Sequence, residues 1–244
     1  MNITIVLGAV IGVLLVLSAL SAALIARLLF ERGKMTPLET REVVDGVFAI
    51  KDQYVNLYLI RGKDGYIAID AGMTAENVRR ELENLHIEPE KVLVVLLTHT
   101  DRDHVGALSL FKNARVSLAR EEEQMINGRT PRFLFFLKNS LHTPYTPMED
   151  GYTFDLLGLK MKAILTPGHT PGSMCYLIDD RYLFTGDTMS LKAGKADLFN
   201  NLFNMDSDRQ RRSLNKLKVI PNVKYIFSSH HGFADNYEKA LEAW

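Results

Sequence analysis

Thr98-His99-Thr100-Asp101-Arg102-Asp103-His104 places four potential metal ligands within the six residues His99 to His104. The stretch directly follows Val92–Leu97, an uninterrupted apolar run that predicts a strand buried on both faces. The ligands therefore lie in a loop between a strand end and a helix start, where side chains can converge on one point. Alone, the loop has a plainer reading, a helix N-terminus whose Asp101 and Asp103 complement the helix dipole.

Three further loops argue against that plainer reading. His169 stands in Thr166-Pro167-Gly168-His169-Thr170-Pro171-Gly172 after the strand-like Leu159–Leu165. Asp187 stands in Thr185-Gly186-Asp187-Thr188 after Tyr182–Phe184, and the pair His230-His231 follows Val223–Phe227. Five of the seven histidines thus sit at predicted strand exits.

Outward from these loops the chain alternates strands and helices. Val43–Ile50, Tyr54–Arg61 and Tyr66–Asp70 read as strands with turn signals at Asp45-Gly46 and Lys63-Asp64-Gly65, and Thr74 reads as the N-cap of a helix to about Leu85. A helix over Val105–Phe111 and a strand over Arg115–Ala119 follow. Asn127–Asp150, with three prolines, several aromatics and no clean period, reads as a long loop or lid. Strands return at Tyr152–Leu156, Leu159–Leu165, Met174–Ile178 and Tyr182–Phe184. A helix over Ser207–Lys218, the strand Val223–Phe227 and a helix over Asn236–Trp244 close the chain. Two strand-rich halves with helices outside predict an α/β (α+β) four-layer sandwich with a cleft where the sheet edges meet.

Composition narrows the function. Lys+Arg and Asp+Glu both total 29, so the chain lacks the basic field that nucleic-acid backbones attract. Cys175 is the only cysteine, which excludes an intrachain disulfide and leaves nitrogen and oxygen atoms to hold any metal. Ile3 to Ala26 gives 24 residues without a charge. As a helix these cover roughly 36 Å, enough for a hydrocarbon core about 30 Å thick. A membrane anchor is the preferred reading over a cleaved signal peptide, whose apolar stretch is shorter and preceded by positive charge, and over a buried core helix. Arg27, Arg32 and Lys34 follow the span, so the positive-inside tendency assigns the remainder to the cytoplasmic side. The expected organisation is a transmembrane anchor over residues 1–30, a linker over 31–41 and a catalytic domain over 42–244.

The ordered motifs resemble the metallo-β-lactamase superfamily from about Val43 to the C-terminus: Asp70-Ala71-Gly72, His99 to His104, Gly168 to Gly172, Gly186-Asp187 and the 230–231 pair. The resemblance implies an αββα sandwich and a centre of two divalent metal ions, zinc first, with iron or manganese as alternatives. It assigns one ion to His99, Asp101 and His169 and the other to Asp103, His104 and a final histidine, with Asp187 bridging. His230 is preferred to His231 as that ligand because it follows Phe227 by two small residues. Asp70 is expected to orient a ligand histidine. Asp101 departs from the family pattern, which has histidine there: it is either a harder ligand favouring iron or manganese, or no ligand, leaving the first site weak or empty.

The implied activity is metal-dependent hydrolysis, in which a metal-bound hydroxide oriented by Asp103 attacks a thioester, lactone or related small ester. Alternatives are an iron-dependent redox enzyme of the same fold, a phosphodiesterase or nuclease, and a membrane-bound binding protein with a degenerate site. His86 and His142 are read as surface residues, and Lys192 and Lys195 as exposed lysines that could instead hold a substrate carboxylate. Phe133–Phe136 lines the pocket or dips towards the bilayer.

Overall fold

The computed structural model describes residues 3–132, 138–242 and 244. It divides into two compact units, Met1–Met35 and Thr36–Trp244. The first is a single helix, α1 (Ile3–Arg32), whose stretch Val10–Arg32 has a mean hydropathy of 2.4 and is long and apolar enough to cross a membrane. The second starts earlier than the expected 42, because residues of the expected linker are bonded into it. Thr36 N donates to His230 O at 2.8 Å, and Leu38 N donates to Asn56 Oδ1 at 2.7 Å.

The first sheet of this unit has seven strands in sequence order: β1 (Arg41–Val44), β2 (Val47–Asp52), β3 (Val55–Arg61), β4 (Tyr66–Ile69), β5 (Val92–Leu96), β6 (Arg115–Ala119) and β7 (Tyr145–Met148). β1 to β4 form an antiparallel meander, and β5, β6 and β7 each add in parallel. Asp45-Gly46 splits the expected strand Val43–Ile50 into β1 and β2, with Gly46 at a φ of 74°. β7 lies inside the expected loop Asn127–Asp150. The expected features at Phe133–Phe136 fall outside the described residues.

Six strands make the second sheet: β8 (Thr153–Leu156), β9 (Leu159–Leu165), β10 (Met174–Ile178), β11 (Tyr182–Phe184), β14 (Tyr225–Ser228) and β15 (Gly232–Ala234), in the order β15-β14-β11-β10-β9-β8. Between β11 and β14 in the chain, β12 (Met189–Lys192) and β13 (Lys195–Leu198) form a separate hairpin.

Side-chain alternation explains the layers. Along β2 to β5, Phe48, Ile50, Leu59 and Val95 face the helix α2 (Ala75–Asn84) through Val78 and Leu82. The residues between them, Ala49, Tyr58, Ile60 and Leu96, face Ala163, Tyr176, Phe184 and Phe227 of the other sheet. A strand covered on both faces needs apolar residues throughout, which is why these segments read as unbroken hydrophobic runs.

The remaining helices differ in length from the expectation. The helix expected over Val105–Phe111 is instead the short α3 (Arg102–Val105) and a 3-10 turn at Leu108–Leu110. α4 (Glu123–Ile126) follows β6, and α5 (Ser207–Lys218) packs Leu214 and Leu217 on the outer face of the second sheet. The helix expected over Asn236–Trp244 contracts to α6 (Tyr237–Ala240).

Thr74 is the N-cap residue of α2, but its hydroxyl does not cap the helix. The buried carboxylate of Asp52 instead fixes the chain entering the helix, accepting from Met73 N and Thr74 N at 2.7 Å each.

Phe184 joins the two sheets at their centre, its ring stacked 4.7 Å from Phe227 of its own sheet and tilted at 5.5 Å from Tyr58 of the other. Phe184→Ala should lower the unfolding free energy by about 3–5 kcal/mol in urea titrations, the usual cost of a large buried cavity. A loss under about 1 kcal/mol would contradict this packing.

Candidate metal centre

Four loops meet at the carboxyl ends of β5, β9, β11 and β14, the end at which such sheets leave their loops free to bear function. They bring His99, His104, His169 and His230 around Asp187, all five buried. Asp187 Oδ1 lies 3.2 Å from His230 Nε2 and 3.6 Å from His104 Nε2. Its Oδ2 lies 3.3 Å from His169 Nε2 and 3.9 Å from His99 Nε2. Asp103, half-buried, brings Oδ2 to 3.5 Å from His230 Nε2 and 3.9 Å from His104 Nε2.

Each imidazole is oriented by what its Nδ1 touches. Asp70 Oδ2 holds His104 Nδ1 at 2.8 Å, and the carbonyl of Tyr54 holds His230 Nδ1 at 2.8 Å. Both partners only accept, so both rings carry their proton on Nδ1. The hydroxyl of Thr98 donates to Asp70 at 2.9 Å and so accepts from His99 Nδ1 at 3.0 Å. Asn204 Oδ1 faces His169 Nδ1 at 3.3 Å. All four Nε2 lone pairs are thereby turned inward.

An inward set of lone pairs needs a cation. His99 Nε2, His104 Nε2 and Asp187 Oδ1 are buried without a hydrogen-bond partner, and such atoms are costly unless something binds them. Two donor groups are spaced to hold an ion: His99, His169 and Asp187, and Asp103, His104 and His230. The residues present therefore fit divalent metal. The carboxylates draw positive charge to the same place: burial alone would lower His104, yet Asp70, Asp187 and Asp103 carry it well above the ordinary histidine range, so that without metal a proton takes the position on Nε2 that an ion would fill. Burial would raise Asp187, yet His230, His104 and His169 hold it well below the carboxylate range.

Asp101 also reaches the cluster, with Oδ2 3.1 Å from His169 Nε2 and 3.6 Å from His99 Nε2. Its carboxylate is engaged by Arg132, whose Nε lies 2.9 and 3.0 Å from the two oxygens and whose Nη2 lies 2.8 Å from Oδ2. Burial opposes ionisation of Asp101, but Arg132 and the two imidazoles keep it well below the carboxylate range. Burial and Arg132 together push His169 down to about 4.

Of the two C-terminal histidines, His230 is the one brought to Asp187, while the half-buried His231 turns its ring towards Phe199. Lys192 is exposed and paired with Asp197, and Lys195, His142 and His86 are exposed as well.

Arg132, Glu122, Asn204 and Gln210 escaped the sequence reading. Gln210 Nε2 donates to the carbonyl of Asp187 at 2.9 Å and to Asn204 Oδ1 at 3.1 Å, linking α5 to the loop of Asp187. Gly168 lies so close to that helix that a Cβ would stand 2.4 Å from Gln210 Cα, at a φ of 148° that disfavours any side chain. Glu122 is buried between two of the loops. Its Oε1 accepts from Thr100 N and Oγ1 at 2.8 and 2.7 Å, and its Oε2 from Thr170 Oγ1 and Gly172 N at 2.7 and 3.1 Å.

The sequence model of the metallo-beta-lactamase superfamily matches residues 50–230. A Bacillus velezensis protein named as a probable polyketide biosynthesis zinc-dependent hydrolase is 32% identical over 136 residues, 56% of this chain and 55% of its own length. A Shewanella halifaxensis hydroxyacylglutathione hydrolase is 26% identical over 197 residues, covering 80% of this chain and 69% of its own. The chain thus spans about half the length of the Bacillus relative. Among solved structures, a Cronobacter sakazakii metallo-β-lactamase with a HARLDQ motif shares the fold, with a TM-score of 0.64 and 24% identity over 82% of this chain and 81% of its own.

Glu122→Gln should destabilise the protein by about 2–4 kcal/mol, because the amide turns an N–H towards donors that are buried and cannot find water. Chemical unfolding measures it. A change under about 0.5 kcal/mol would show that Glu122 does not clamp the two loops.

Proposed function

Since the chain belongs to the metallo-β-lactamase superfamily, we propose that it is a hydrolase that uses divalent metal to cleave an ester-like bond in a small molecule. The observation that carries this reading is the convergence of four imidazole Nε2 atoms on the buried Asp187, three of the atoms in that cluster lacking any partner. Asp103, His104 and His230 would hold one ion; His99 and His169, beside Asp101, offer a second position, and Asp187 has one oxygen near each set. Zinc is the preferred metal, since nitrogen and carboxylate donors suit it and the Bacillus relative is named for it.

A divalent ion bound there supplies Lewis acidity, bringing the pKa of a water towards about 7 and polarising the scissile carbonyl. The protein's own groups do the positioning. Asp103, at the half-buried edge of the cluster, orients the attacking water and accepts its proton. Asp70 and the Tyr54 carbonyl keep His104 and His230 in the tautomer that leaves Nε2 free. Asp187, buried and ionised, supplies the negative charge that draws the ion in.

Thioesters lead the substrate classes, supported by the likeness to a hydroxyacylglutathione hydrolase; lactones and related small esters follow. The iron-dependent redox alternative relied on Asp101 as a free, hard ligand, and its bidentate pairing with Arg132 removes that support. We further propose that α1 anchors the enzyme in a membrane as a single span, with Arg27, Arg32 and Lys34 keeping the hydrolase on the cytoplasmic side.

The test is elemental analysis of the purified chain with a screen of thioesters, lactones, β-lactams and phosphodiesters, before and after chelation. Zinc together with thioester or lactone cleavage that chelation abolishes is expected. Asp70→Ala should weaken zinc binding about 10–100-fold, the usual cost of losing a partner behind a ligand histidine. Cleavage that survives complete chelation, or iron with oxygen consumption and no ester cleavage, would contradict the proposal.

A further inference from the structure

Among the described residues, a protein cation stands on one side of the cluster and not on the other. Arg132 is 8% exposed, and its Nη2 lies 2.8 Å from Asp101 Oδ2, 3.1 Å from His169 Nε2 and 2.7 Å from the carbonyl of Phe203. His169 carries its proton on Nδ1, so Nε2 is an acceptor facing another acceptor, Asp101 Oδ2, at 3.1 Å. Two lone pairs at that separation repel unless something positive bridges them, and here Nη2 does. Asn139 completes the arrangement, donating from Nδ2 to Asp101 Oδ1 at 2.9 Å and to Thr100 Oγ1 at 3.0 Å.

We propose that Arg132 is a built-in cation that takes the His169 side of the centre in place of a second metal ion, so that the chain tightly holds one divalent ion, on the side of Asp103, His104 and His230. The proposal rests on the metallo-hydrolase reading above and fixes which half of its centre is filled.

Three physical points carry it. First, the positions exclude each other. An imidazole nitrogen binds zinc at about 2.0–2.1 Å, so an ion on the His169 Nε2 lone pair would lie roughly 1 Å from the nitrogen now there. Second, the occupant is permanent. A guanidinium stays charged at every physiological pH, and its fork matches both oxygens of Asp101, so it neither deprotonates nor leaves cheaply. Third, the donors on the two sides are unequal. On the His230 side the carboxylates of Asp103 and Asp187 face the imidazoles with no protein cation among the described residues, and His104 Nε2 and Asp187 Oδ1 lack partners. On the His169 side, Asp101 is neutralised by its pair, and His99 Nε2 alone remains unpartnered.

Asp101 then acquires a different role from the one that the family pattern suggests. It anchors the guanidinium that replaces a metal, and is a positioning residue.

Zinc titration of the metal-free full-length chain by calorimetry, with ions counted per chain by mass spectrometry after dialysis, tests the proposal. Wild type should retain one ion. Arg132→Met, which keeps much of the side-chain volume without the charge, should retain two, and Arg132→Lys should stay at one. Circular dichroism establishes that each variant is folded. Two tightly held ions in the wild type overturn the inference whether or not the Met variant folds; so does a folded Arg132→Met that still retains one. His104→Ala should lose the single ion of the wild type. A wild type that retains no zinc at all overturns the metallo-hydrolase reading and this inference with it, whereas two ions overturn the inference alone.

Discussion

Four imidazoles can point their Nε2 lone pairs at one buried carboxylate only if something takes the proton on each Nδ1. In this protein Asp70, the hydroxyl of Thr98, Asn204 and the carbonyl of Tyr54 do so, each from a different stretch of chain. Everything else near Asp187 depends on that constraint. Without it the rings could turn, Nε2 could find a hydrogen-bond partner, and the cluster would lose the cost that only a cation relieves.

The fold supplies the constraint through its strand ends. β4 and β5 run in parallel, so Asp70 and His99 emerge side by side, and Thr98 N reaches Asp70 Oδ1 at 2.7 Å. β11 and β14 also run in parallel, which puts Asp187 beside His230. Glu122 spans the loops of His99 and His169, and α5 is fitted against the loop of His169 so closely that Gly168 has no space for a side chain. The sandwich between the sheets is the rigid part, and the loops inherit their positions from it.

Much of this was legible in the sequence because it is local. Each ligand-bearing loop follows a strand-like run, that before His99 apolar throughout, and His99, Asp103, His104, His169, Asp187 and His230 meet where the motif order implied. The unread parts come from pairings across the chain. Arg132 lies 31 residues from Asp101, and Glu122 lies 50 residues from Gly172 and between two other glutamates, so residue type gave no hint of either. β7 escaped because Pro147 argues against a strand, and an edge position is where a sheet tolerates proline. The hairpin β12–β13 turns at Ala193 and Gly194, with φ of 50° and 76°, a turn that Ala193 does not advertise. The motif places Asp101 beside the histidines, whereas its pairing with Arg132 depends on a residue 31 positions away.

The excess negative charge around Asp187 calls for a divalent ion. The most direct measurement is an anomalous-difference map, collected across the zinc absorption edge, from crystals of the zinc-loaded protein. A peak enclosed by Asp103, His104, His230 and Asp187 is expected. A map without a peak there, or with zinc only at surface sites, would contradict it.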